Sequence, residues 1–272
     1  MPSDSQSLVA FLYYYPAMLQ HHSLPHFLAL LAAVLCIATT PLPLSAQAQT
    51  AVADKQQETL KRWEAGQKVT EESVGKYGID RCFTAEPISD AVFRRIYGRS
   101  FKKGCTVARA QLRYLKVLHY NLNGEILLGE MVCHKDISAD LIDIFRRLFN
   151  ARYPIERMVL IDEYNADDEA SMRANNTSCF NFRTVAGSKR LSKHSMGKAV
   201  DINPFYNPYV KTRSNGTTSV RPKGAERYAN RRKDFDYKIT PNDLCYKEFI
   251  RHGFAWGGNW RTMKDYQHFE KK

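Results

Sequence analysis

The chain has 272 residues, 40 of them Lys or Arg against 28 Asp or Glu, for a formal net charge of +12 at pH 7. That length holds one domain with a sizeable core plus an extension, and the positive balance favours anionic partners by long-range attraction. No internal repeat, low-complexity tract or CxxC pair occurs, which removes repeat architectures and a structural zinc knuckle from consideration.

The apolar run Phe27 to Ile37 is too short to span a bilayer comfortably. Pro41-Leu42-Pro43-Leu44 and the small-residue stretch Ser45-Ala46-Gln47-Ala48 follow it. Together they read as a secretion signal over 1–48, cleaved after Ala48, which predicts an exported, periplasmic or extracellular protein. The preceding residues carry His21, His22 and His26 but no Lys or Arg, so a start at Met18 or an uncleaved anchor are alternatives. Beyond the signal lie Cys82, Cys105, Cys133, Cys179 and Cys245. An oxidising compartment predicts some pairing, with Cys82–Cys105 favoured by proximity and at least one thiol left over.

Residues 49–110 read as an extension with a helical lead-in, 49–75, and a short helix over Ser89–Tyr97. The domain proper is expected over 111–272. Asn123-Gly124 sits between two segments of apolar–polar alternation, Tyr114–Leu122 and Glu125–Cys133, which predicts an antiparallel hairpin. Leu141, Ile144, Phe145 and Leu148 recur at helical spacing within Ile137–Phe149, with Asp136 or Ser138 available as cap. Arg157–Asp162 reads as a short strand, followed by an acidic loop and helix start through Glu169. Lys198–Ile202 should be a buried strand, and 203–242 a long basic excursion, either a wall of a cleft or a disordered insertion. Asp243–Arg251 reads as a helix stopped by Gly253, and Tyr266–Glu270 as a terminal strand. The mixture predicts an α+β fold, an antiparallel sheet core with flanking helices.

Two segments carry the chemistry. In Ser192-Lys193-His194-Ser195-Met196-Gly197-Lys198-Ala199-Val200-Asp201, His194 and Asp201 meet only if the chain bends at Gly197. Taken alone, this pattern equally fits a loop histidine and a capping aspartate. The second segment is Asp265-Tyr266-Gln267-His268-Phe269-Glu270. Residues three apart on a strand face opposite sides, so Asp265 joins His268 at one site only if the chain turns between them. Two imidazoles, one carboxylate and a spare carboxylate suit a hydrolytic metal ion, which needs three protein ligands, an open position and a base.

Together, SxHxxGxAxD and the late DxxHFE resemble the LAS metallopeptidases, a family of D-alanyl-D-alanine carboxypeptidases, D,D-dipeptidases and L-alanyl-D-glutamate endopeptidases. Asn176-Thr177-Ser178-Cys179-Phe180-Asn181-Phe182-Arg183 resembles the upstream segment that ends in the family's functional arginine. Trp256-Gly257-Gly258-Asn259-Trp260 resembles its glycine–tryptophan turn. The resemblance covers about 112–270 and implies a Hedgehog/DD-peptidase-like fold. It further implies one zinc ion per chain on His194, Asp201 and His268, with Asp265 as general base and Arg183 at the scissile carbonyl. Ser192, His134, Trp256 and Trp260 are weaker candidates for substrate contact.

Many carboxypeptidase members have glutamate where Asp265 stands, as aspartate does in the endopeptidase branch. The expected substrates are therefore peptidoglycan stem peptides, cut as an L-alanyl-D-glutamate-type endopeptidase. A D-alanyl-D-alanine carboxypeptidase and a catalytically silent peptidoglycan-binding protein are the alternatives. Anionic cell-envelope polymers are possible further partners; nucleic acid, for which no readout motif occurs, and an obligate protein partner are not expected.

Overall fold

A computed structural model describes residues 46–185 and 188–272, so the expected secretion signal falls almost wholly outside the described residues. The lead-in forms α1 (Ala46–Arg62), β1 (Lys68–Val69) and α2 (Glu71–Tyr77). Then come β2 (Thr84–Pro87), α3 (Asp90–Ile96) and the hairpin of β3 (Leu112–Tyr120) and β4 (Ile126–His134). The four strands form one antiparallel sheet in the order β1-β4-β3-β2, so two strands of the 49–110 extension clamp the edges of the hairpin. At the turn, the Asn121 side chain accepts from the backbone N–H groups of Asn123 and Glu125, each at 2.9 Å, and Gly124 takes φ +74°.

Every residue of β4 is buried, whereas alternation predicts one wet face. The reason is cover on both sides. Residues 155–160 lie against the strand, where Glu130 N–H donates to Met158 O at 2.9 Å and Trp63 Nε1 donates to Gly129 O at 3.0 Å. Glu130 tolerates this because Arg95 bonds both its oxygens, at 2.7 and 2.5 Å, and the Tyr114 hydroxyl donates at 2.6 Å. The segment expected as a strand over Arg157–Asp162 is this extended cover: it makes only isolated bridges, then turns at Ile161–Tyr164.

Helix α4 (Lys135–Asn150) places Ile137, Leu141, Ile144, Phe145 and Leu148 in the core. Its cap is His134, whose Nδ1 accepts from Asp136 N–H at 3.2 Å, in place of the expected Asp136 or Ser138. The acidic stretch becomes the start of α5 (Asp168–Arg173), capped by Asp167. Yet Asp162 is not solvated: it is buried and accepts from Ser100 N and Oγ at 2.9 Å each.

Strand β5 (Ala199–Asp201) follows, and the long excursion is ordered rather than a disordered insertion. It forms the hairpin β6 (Tyr209–Thr212) and β7 (Thr218–Arg221). The chain closes with α6 (Leu244–Arg251), β8 (Ala255–Trp256), β9 (Lys264–Asp265) and β10 (His268–Glu270). Two more antiparallel sheets result, β5-β10-β8 and β7-β6-β9. The fold is α+β, as expected.

All five described cysteines are free, and the favoured Cys82–Cys105 bond does not form. Their thiols face different partners instead: Cys82 Sγ points at Gly78 O and Cys105 Sγ at Val107 O, both at 3.6 Å.

Gly197 joins the first sheet to the site loop. Its carbonyl accepts from His134 N–H at 2.8 Å, its φ is +65°, and an added Cβ would lie 2.7 Å from His134 N. Gly197→Ala is therefore expected to destabilise by about 2–4 kcal/mol, from left-handed strain plus a backbone clash. Denaturant unfolding checks this; a loss within 0.5 kcal/mol, on the order of an ordinary surface change, would contradict the packing.

Candidate metal centre

His194 lies in a single 3-10 turn, Lys193–Met196, entered through Ser192 and left through Gly197. Ser192 Oγ accepts from His194 N–H at 3.3 Å, so this candidate substrate contact is engaged as the turn's cap. After the bend, β5 brings Asp201 level with His268: β5 and β10 pair antiparallel with Asp201 opposite His268. The seven-residue spacing that fits neither a helix nor a strand is thus closed by a turn and a strand in succession.

The three side chains converge. His194 Nε2 lies 3.2 Å from His268 Nδ1 and 3.3 Å from Asp201 Oδ1, and His268 Nδ1 lies 3.0 Å from Asp201 Oδ1. Among the described residues, these three form the group of His, Cys, Asp or Glu side chains placed to hold a metal ion. A tetrahedral zinc with bonds of about 2.0 Å has ligand atoms about 3.3 Å apart, so the spacing fits.

The protons agree with the spacing. His194 Nδ1 lies 2.6 Å from Cys179 O, an acceptor, so that nitrogen carries the hydrogen and Nε2 presents a lone pair. His268 Nε2 lies 3.2 Å from Glu270 Oε2, which in the same way leaves Nδ1 as the lone-pair nitrogen. Three acceptors, two on buried imidazoles and one on the partly buried Asp201, then face one another, an arrangement that requires a cation at its centre, either a proton or a metal ion. Burial works against charge on His268, but the carboxylates of Asp201 and Glu270 outweigh it and raise its pKa. Burial likewise opposes charge on Asp201, and the two histidines overcome it, holding the carboxylate well below its ordinary range.

Asp265 belongs to a different sheet from His268. It pairs with Tyr209 of β6, while His268 pairs with Asp201, so the chain does turn between them. A Cβ at Gly257 would lie 2.9 Å from Asp265 Cβ and 3.2 Å from His268 Cβ, which puts the two side chains next to each other. Burial pushes the Asp265 carboxyl up to about 6, His268 pulls it down and the Asp201 charge adds to the rise. Gln267 Nε2 donates to Asp265 Oδ1 at 3.2 Å and orients it. Gly257 makes the close approach possible, because a Cβ there would lie 2.6 Å from Asp265 O.

Arg183 is anchored rather than free. Its backbone N–H donates to Ser195 Oγ at 2.8 Å, and its Nε contacts Asp168 Oδ2. Asp168 is held in turn by Asn181 Nδ2 at 3.0 Å. The other candidates part company. Trp260 stands against the centre, its ring centroid 5.2 Å from that of His268. Trp256 is a buried core residue that donates from Nε1 to Tyr266 O at 2.9 Å and packs on Phe269. His134 is occupied as the α4 cap and is no member of the ligand group.

Sequence reasoning missed the Cys179 carbonyl, Ser195 and Glu270. Only Glu270 left a readable trace, because it sits two residues after His268 on the same strand face.

Residues 186–271 match a peptidase family model described as D-alanyl-D-alanine carboxypeptidase. This part of the chain is similar to that peptidase family. The match takes in His194, Asp201, Asp265 and His268 and begins after Arg183. No curated protein and no solved structure matches the chain.

Glu270→Gln is expected to weaken metal binding about 10- to 100-fold, the usual cost of a lost partner behind a ligand. Competition against a chelating dye measures it, with circular dichroism confirming the fold; unchanged affinity would remove Glu270 from the centre. Because uptake of a metal ion must displace the proton held at His268, affinity should also rise with pH. The same dye titration, repeated across pH, reads that slope.

Proposed function

We propose that the chain is an exported zinc-dependent peptidase that cuts the stem peptides of bacterial peptidoglycan. The observation that carries this is the convergence of His194 Nε2, Asp201 Oδ1 and His268 Nδ1 at 3.0–3.3 Å, with Asp265 beside them. Zinc held there supplies a Lewis acid that acidifies water and polarises a carbonyl. The residues do the rest. Asp265, a carboxylate above about pH 6, accepts the proton of the attacking water and hands it to the leaving amine. Arg183, steadied through its Nε by Asp168, offers its remaining guanidinium donors to the carbonyl oxygen as charge develops on it. Glu270 and the Cys179 carbonyl keep each imidazole in the tautomer that points a lone pair at the ion.

Asp265, in place of a longer glutamate, favours cleavage of the L-alanyl-D-glutamate bond. The description of the matched family favours the second reading, removal of the terminal D-alanine. Digestion of defined muropeptides by purified protein, with fragments identified by mass spectrometry, separates the two. Release of D-alanine alone supports the carboxypeptidase, and cleavage deeper in the stem supports the endopeptidase. No cleavage with zinc present would leave the peptidase reading without support.

Asp265→Asn is expected to lower kcat at least 100-fold while zinc affinity changes little, because a general base contributes about 10²–10⁴ to rate. Wild-type activity should fall as pH drops through about 6, where Asp265 takes up a proton; a bound cation moves that limb lower, never higher. A variant retaining full zinc-dependent activity would exclude Asp265 as the base.

A further inference from the structure

The basic excursion holds an open surface cavity of about 600 Å³ apart from the metal ligands, lined by Tyr206, Tyr228, Asp234, Phe235, Asp236 and Tyr237. That volume lies in the usual range for small-molecule sites, roughly 300–1,000 Å³. Its aromatic walls are mutually inclined rather than stacked. Tyr206 meets Tyr228 at 4.8 Å and 54°, Tyr206 meets Tyr237 at 5.0 Å and 72°, and Tyr228 meets Phe235 at 5.0 Å and 58°. Rings set this way present faces and edges to a common hollow.

The walls are built, not merely collapsed. Tyr237 has φ +64°, an uncommon backbone state for a bulky residue, and the fully buried Asn207 holds it there. Asn207 Nδ2 donates to Tyr237 O at 3.0 Å, and its Oδ1 accepts from Ile239 N–H at 2.8 Å. Arg231 ties the cavity to the catalytic strand. It donates to Tyr206 O at 3.0 Å and to Ile239 O at 2.8 Å, and its guanidinium lies 4.3 Å over the ring of Tyr266, the neighbour of Asp265.

Charge selects the ligand class. An organic cation would seek electron-rich ring faces, but Arg227 already lies 4.6 Å over Tyr228, and Arg231 5.1 Å over Phe235. Lys238 lies 5.3 Å over Phe235 and pairs with Asp234 at 3.0 Å. An anion would meet the exposed Asp236 carboxylate at the rim. A neutral ring with apolar faces and hydroxyl edges satisfies both conditions, packing against Tyr206 and Tyr237 while Asp236 and the phenols bond its edge. Burial and the facing phenols of Tyr228 and Tyr237 raise the Tyr206 pKa, so that hydroxyl stays neutral.

We infer that this aromatic cavity binds a saccharide ring of an N-acetylated amino-sugar strand. It thereby holds the glycan of the substrate while the metal centre works on the attached peptide. The choice of glycan rests on the peptidase reading above; the cavity and its preference for a neutral sugar do not.

The test is saturation-transfer NMR on the full chain with a soluble N-acetylglucosamine tetramer, run with chelator present so that no metal-dependent step contributes. Saturation of the sugar ring protons is expected, with binding at least tenfold weaker in both Phe235→Ala and Asp236→Asn. Asp236 is exposed, so its variant keeps the fold. No transfer to the tetramer would overturn the proposal, as would transfer equally strong in both variants. Binding of tetramethylammonium in place of the sugar would overturn it too, in favour of a cation cage. Because the measurement needs no metal, sugar binding without muropeptide cleavage would sink only the peptidase reading, and cleavage without sugar binding only this one.

Discussion

The structure turns on three lone-pair atoms forced within 3.3 Å of one another in a buried setting. Two nitrogens and a carboxylate oxygen cannot be left in that geometry without a cation, since each has given up water and none can donate to the others. Much of the surrounding architecture keeps them there. The β5–β10 pairing sets Asp201 opposite His268, and the Gly197 bend delivers His194 to the same point. The Cys179 carbonyl and Glu270 fix which nitrogen of each ring faces inward.

The same arrangement explains the separation of Asp265 from the candidate ligand His268. Asp265 and His268 are close in sequence but lie in different sheets, because the chain leaves the β7-β6-β9 layer and enters β5-β10-β8 between them. Asp265 is thereby left outside the candidate ligand group and only partly exposed. Burial makes its carboxyl a better proton acceptor near neutral pH than an exposed aspartate is. The basic excursion contributes through backbone pairing, since Tyr209 of β6 lies opposite Asp265. It is part of the site's frame rather than a decoration on it.

Where sequence reasoning held, the signal was local. Asn123-Gly124 needs only its own turn chemistry to make a hairpin, and the Leu141-Ile144-Phe145-Leu148 stripe needs only helical period. Where it failed, a distant segment intervened. Alternation in β4 is overridden because other side chains close on it: Met158 Sδ would lie 3.2 Å from a Cβ at Gly129, and Arg95 and Tyr114 engage the Glu130 carboxylate. Cys82 and Cys105 are near in sequence yet find separate carbonyl partners, for spacing along the chain says nothing about Cβ direction. Trp256, a candidate for substrate contact, is core, because its indole N–H is satisfied by the backbone of Tyr266.

The sequence by itself determined the chemical inventory: two imidazoles, two carboxylates, an arginine and the glycine that bends the chain between His194 and Asp201. Ligand identity is a property of residue type, and residue type is what a sequence records. Only the tertiary structure decided which nitrogen of each histidine faces the others, which carboxylate joins the candidate ligand group and which stays outside it, and that Arg183 is steadied by Asp168. Those choices depend on angles and separations between strands far apart along the chain, which the folded backbone alone supplies.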